Sequence, residues 1–211
     1  MGAMTPAEQR LLAQVRADLS RLARYDDQSV VHDTWIWQRY DGGHAVSLAP
    51  ARAAAVRTAW HEAGHAVAAL TVGARFSSAS IRHSAVSRDG RATEGRVRGL
   101  SGAGDQGFVI DAAGQIAEQL MTWTLPGSDA ELGCWLAAWR ADGGDARRFR
   151  QGMSARFGRD EAAAWRFSER LLTPRRLAIR AVARGLLVSP RHLPCAVVTA
   201  IAADAGLPGG S

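Results

Sequence analysis

Residues 58 to 73 read Thr58-Ala-Trp-His61-Glu62-Ala-Gly-His65-Ala-Val-Ala-Ala-Leu-Thr-Val-Gly73, and the fold is decided by whether this stretch is a helix. Alanine dominates from Ala51 to Val72, and Gly73 stands where a helix would be capped. The spacing predicts a helix of about six turns with His61 and His65 one turn apart on a single face. Two imidazoles so placed can share one ion, and zinc accepts such a pair. Glu62 sits off the direct ligand line, where it can act as general base on a zinc-bound water. Gly64 is a poor helix residue unless something packs closely on its face.

Outward from this helix, Thr5-Pro6-Ala7-Glu8 reads as a capping box, followed by Leu11, Leu12, Val15, Leu19 and Leu22 at helical spacing. A helix is predicted over 6–24. Residues 25–50 carry breakers around the aromatic patch Val30, Val31, Trp35, Trp37 and Tyr40, and read as an irregular wrap. Alternating runs at Ala79 to His83 and Gly95 to Arg98 flank the turn dipeptide Asp89-Gly90, so a small antiparallel sheet or hairpin follows the zinc helix. Helical periodicity returns over 108–121, 130–141, 145–157, 160–172, 174–187 and 193–205. The expected fold is mainly α (α+β): a helical domain over 51–207 with one small sheet beside the His-Glu-x-x-His helix, preceded by residues 1–50.

Composition narrows the function. The net charge of +6 comes from arginine alone, because the sequence has no lysine. A phosphate-binding Walker loop needs Gly-Lys-Ser/Thr, so the chain cannot be a P-loop ATPase by itself. The arginines are spread through every segment, which argues against a nucleic-acid partner. No window approaches 18 uninterrupted apolar residues, so no membrane span is expected. Cys134 and Cys195 lie in unrelated contexts, and a reducing cytoplasm fits them best. A homo-oligomer is compatible with the surplus of tryptophan.

The histidine pair needs a third ligand. His65 is followed by Ala-Val-Ala-Ala-Leu-Thr, which excludes the extended metzincin motif. A more distant carboxylate is required, and Asp105, Asp111, Glu118, Asp129 and Glu131 are candidates.

The stretch TAWHEAGHAVAAL resembles the HEAGHA helix of the proteolytic domain of FtsH-type, AAA-associated zinc metalloproteases. DAAGQIAEQL, residues 111–120, is similar to that family's glycine-containing helix, and PGSDAEL, residues 126–132, is similar to its loop bearing a zinc-binding aspartate. The resemblance covers about residues 51–205 and implies a zinc endopeptidase acting on unfolded or extended polypeptides. It implies His61, His65 and Asp129 as zinc ligands, Glu62 as catalytic base, and Glu118 as a carboxylate behind a ligand. The strand with Ala79, Ile81 and His83, read as an exposed sheet edge, is expected to take the substrate by strand addition, as the resemblance also implies. The chain departs from the family in having Ala113-Gly114-Gln115 where Gly-Gly-Arg is usual, and in lacking the ATPase module and membrane helices. Delivery by a separate ATPase or unfoldase follows as the expected partnership. The competing reading is a catalytically silent module of the same fold that binds a partner protein or nucleic acid.

Overall fold

The computed structural model describes residues 3–23, 50–83, 93–140, 144–188 and 192–208. The expected wrap over 25–50, apart from Pro50, which opens a helix, and the Asp89-Gly90 turn lie outside the described residues. The remaining chain is mainly helical with a small three-stranded antiparallel sheet, as expected.

Helix α1 (Pro6–Ala23) is followed by α2 (Pro50–Thr71), β1 (Ser78–His83) and β2 (Thr93–Arg98). Then come α3 (Gly107–Thr122), α4 (Asp129–Trp139), α5 (Gly144–Phe157), α6 (Glu161–Leu172) and α7 (Arg176–Val188). The chain closes with β3 (His192–Pro194) and α8 (Cys195–Asp204). Short 3-10 turns at Gly104–Gln106 and Thr173–Arg175 lead into α3 and α7.

Helix α2 is the axis of the domain. Ala59, Trp60, Ala63, Ala66, Val67 and Ala69 are wholly buried on it, with α3, α7 and the sheet packed around it. A helix apolar on nearly every face has to lie inside the fold. Trp60 is core, and the Arg176 guanidinium sits 5.7 Å from its ring.

Gly64 allows the closest approach. A Cβ there would fall 2.7 Å from the Ala117 Cβ and would also overlap the Ala113 carbonyl oxygen. Glycine at 64 and alanine at 113 and 117 therefore set how near α3 comes to α2. The segment that packs on the Gly64 face is thus the α3 backbone.

The strand order is β2-β1-β3. β1 pairs with β2 along its whole length, from Ser78 opposite Arg98 to His83 opposite Thr93, and with β3 over Ser78 to Ser80. The expectation that Ala79, Ile81 and His83 form an exposed edge is corrected for the start of the strand: β1 is paired on both sides over Ser78 to Ser80, and Ala79 and Ile81 are buried. The cause is β3, a three-residue strand at His192–Pro194 in a stretch whose periodicity reads as helix from Leu193. Three residues are too few to show an alternating pattern. Among the described residues, the unpaired edge next to α2 belongs to β2.

Candidate metal centre

Two helices and a helix start build the site. From α2, His61 and His65 turn the same way, and their Nε2 atoms lie 2.9 Å apart. Asp145, in the first turn of α5, brings Oδ2 to 3.2 Å from His61 Nε2 and 3.4 Å from His65 Nε2. These three residues form a group that can hold a metal ion. A tetrahedral ion with bonds of about 2.0–2.2 Å separates its ligand atoms by about 3.3–3.6 Å. The observed triangle lies at or slightly inside that size, so the donor set fits.

The tautomers point the same way. His65 Nδ1 donates to the Ile110 carbonyl at 2.6 Å, and a carbonyl can only accept. His61 Nδ1 donates to Glu118 Oε1 at 2.8 Å. With Nδ1 of each ring committed as a donor, both rings in their neutral form would present Nε2 lone pairs toward the same point. Outer partners of this kind fix the ring and tautomer of metal-binding histidines. Glu118, the carboxylate in contact with His61, also accepts from Arg57 through its other oxygen.

Glycine makes room on both sides. A side chain at Gly114 would overlap the His61 ring, and one at Gly95 would overlap the Glu62 carboxylate. Thus α3 and β2 each yield a Cβ to a site residue. The Ala113-Gly114-Gln115 triplet keeps its glycine where His61 needs it.

Electrostatics bind the group tightly. Burial disfavours charge on His61, yet the bonds to Asp145 and Glu118 outweigh it and raise its pKa to about 9. Burial likewise opposes ionisation of Asp145, but the two histidines hold its carboxyl far below the usual range. Glu62, 6% exposed, is pushed up by burial, against the pull of His65 and His61 and a bond from the Val97 backbone. A base with raised affinity for a proton beside a cation site suits general base chemistry.

Asp129, the carboxylate expected to close the site, is not brought to the histidines. It occupies the first position of α4, its side chain is 89% exposed, and its neighbour is Arg166 at 3.5 Å. Ser128 caps that helix and Glu131 completes the capping box, which accounts for the acidic sequence there. Asp145 takes the place assigned to Asp129. It follows the break Asp142-Gly143-Gly144 and stands in the first turn of a helix, a signal visible in the sequence but two acidic residues beyond the last candidate considered, Glu131.

The group lies in a cleft of about 830 Å³. Its walls are Gly95 to Val97 of β2, the glycine-rich turn Leu100 to Gly104, and Asp111 and Arg148. Ala79 and Ile81 of β1 are not among the residues that line it. Among the described residues no helix is long and apolar enough to cross a membrane. Comparison with protein-family models found no match, and comparison with curated proteins found none either.

Proposed function

We propose that the protein is a zinc-dependent peptidase that hydrolyses unfolded or extended polypeptide in this cleft. The observation that carries the reading is the convergence of His61 Nε2, His65 Nε2 and Asp145 Oδ2 within 3.4 Å, with the Glu62 carboxylate buried beside them. His61, His65 and Asp145 would hold the metal. When bound, a divalent ion of this kind polarises a carbonyl and lowers the pKa of water. Zinc is favoured by the nitrogen-rich donor set and the small triangle.

The other steps belong to the chain. Glu62 takes the proton of the attacking water as its oxygen bonds to the carbonyl carbon, then passes that proton to the departing amine as the C–N bond breaks. Val97 holds the carboxylate through its backbone, and Gly95 leaves it space to move between water and amine. An extended peptide has a template in β2, the edge strand on the cleft wall, rather than in β1. The likeness of the α2 sequence to the HEAGHA helix of FtsH-type proteases supports the same chemistry, with Asp145 as the distant aspartate.

Metal analysis of the purified chain, paired with digestion of casein or a peptide library, tests the proposal. One zinc per chain and metal-dependent cleavage are expected. A protein that takes up no zinc, or takes it up equally in Asp145→Ala, would overturn it.

A further inference from the structure

Arg148 lies one helical turn after Asp145 on α5 and lines the same cleft. Its Nη2 bonds Asp145 Oδ1, the oxygen turned away from the histidines. Its Nε donates to Asp111 Oδ1 at 2.9 Å. Two carboxylates on different helices therefore hold the guanidinium still, although its side chain is 55% exposed. A guanidinium carries five N–H groups and accepts none. One on Nε and one on Nη2 are used, and no further bond engages the others among the described residues.

The position is informative because it is tied to the ligand carboxylate itself. Asp145 offers Oδ2 to the histidines and Oδ1 to Arg148, so the guanidinium is fixed on the carboxylate that would hold the metal, in the wall of the same cleft. The other site residues do not supply a donor there: His61 and His65 spend Nδ1 on Glu118 and Ile110, and Glu62 is an acceptor until it takes a proton. A fixed donor aimed at developing charge costs no reorganisation when the charge appears.

We infer that Arg148 is a catalytic residue that donates a hydrogen bond to the carbonyl oxygen as it becomes the tetrahedral oxyanion, in addition to bracing Asp145. The inference rests on the peptidase reading. In the step, the water oxygen bonds to the carbonyl carbon, the π electrons move to the carbonyl oxygen, and the water proton goes to Glu62. Arg148 keeps all its protons. When the C–N bond breaks, the electrons return from the oxygen and the bond from Arg148 weakens again. The donor is then worth more in the transition state than in the bound substrate, which places its effect on kcat rather than KM.

The test compares the zinc-loaded full chain with Arg148→Met and Arg148→Lys in three measurements. These are peptide hydrolysis, zinc affinity by chelator competition, and calorimetric binding of a phosphinic peptide that mimics the tetrahedral intermediate. Arg148→Met is expected to lower kcat by roughly 10²–10³ at saturating zinc, with KM little changed. The phosphinic peptide should weaken by a similar factor, and Arg148→Lys, which keeps the charge but not the fork, should fall between. Recovery of the full rate once zinc is saturating, or unchanged phosphinic-peptide affinity, would overturn the inference and leave Arg148 as a brace for Asp145. A parent protein that binds zinc and cuts no peptide would instead sink the peptidase reading, and the inference with it.

Discussion

On the peptidase reading, Glu62 and the two histidines are neighbours in sequence yet separable in effect. Glu62→Gln keeps the shape that Gly95 accommodates and removes the base. Zinc content should persist while turnover falls by several orders of magnitude; loss of the metal in this variant would mean that Glu62 is a ligand. Asp145→Ala should weaken zinc binding strongly and Asp129→Ala should not, because Asp129 faces solvent beside Arg166. His61 also sets a pH dependence. Its pKa of about 9 in the chelated protein means that zinc must displace a proton, so apparent affinity should rise about tenfold per pH unit as pH approaches 9. The same shift has an opposite signature in stability without metal. A raised pKa stabilises the fold fully below the unfolded value of about 6.5, and this contribution is lost as pH rises through about 9. Titration of chelated and zinc-loaded protein by thermal melting reads both slopes, and a pH-independent zinc affinity would contradict the first.

At the level of elements, the α2–α3 contact is the part of the fold that the site cannot spare. Gly64→Ala puts a methyl group against Ala117 and the Ala113 carbonyl, both on a helix backbone that cannot step aside cheaply. A loss of about 1–3 kcal/mol is expected from such overpacking, measured by denaturant unfolding. Gly114→Ala acts on the same α2-facing side of α3, where its methyl meets the His61 ring. This variant should lose zinc affinity more than stability, the reverse of Gly64→Ala, and equal effects of the two on both quantities would refute the division of labour. The sheet has a comparable asymmetry. β1 is paired on both sides near its start, so Ile81→Pro, which removes a backbone donor from a buried middle strand, should impair folding rather than raise KM selectively.

For the whole molecule, metal and substrate each couple to folding. A metal bound by residues from α2 and α5 binds only the assembled domain, so free zinc at 100 times its dissociation constant should add about 2.7 kcal/mol. For a chain of this size that is a rise in Tm of roughly 5–11 °C, reversed by a chelator. Substrate folding is the other constraint. A folded domain is held by about 5–15 kcal/mol, and without lysine the chain has no Walker loop with which to spend ATP against that. Cleavage of one substrate domain should therefore follow its unfolded population, fast for a destabilised variant and slow for a stable one. ATP stimulation of the isolated chain would show this to be wrong.

The sequence by itself determined what depends on local spacing. His61, Glu62 and His65 were legible because a helix repeats every 3.6 residues, and the long helices announced themselves by the same period. The capping box at Thr5 and Glu8 was legible too, as was the glycine at 64 that had to face a close neighbour. Only the tertiary structure decided the rest, because it joins residues whose separation in the chain carries no period. Asp145 stands 84 residues from His61, and nothing local distinguishes it from Asp129, since both open helices after a glycine. The choice was made by packing of α5 on α3, which brings the first turn of α5 to the two histidines of α2. The edge strand was settled in the same way: β3 is three residues long and arrives from the far end of the chain to cover β1, leaving β2 as the open wall of the cleft.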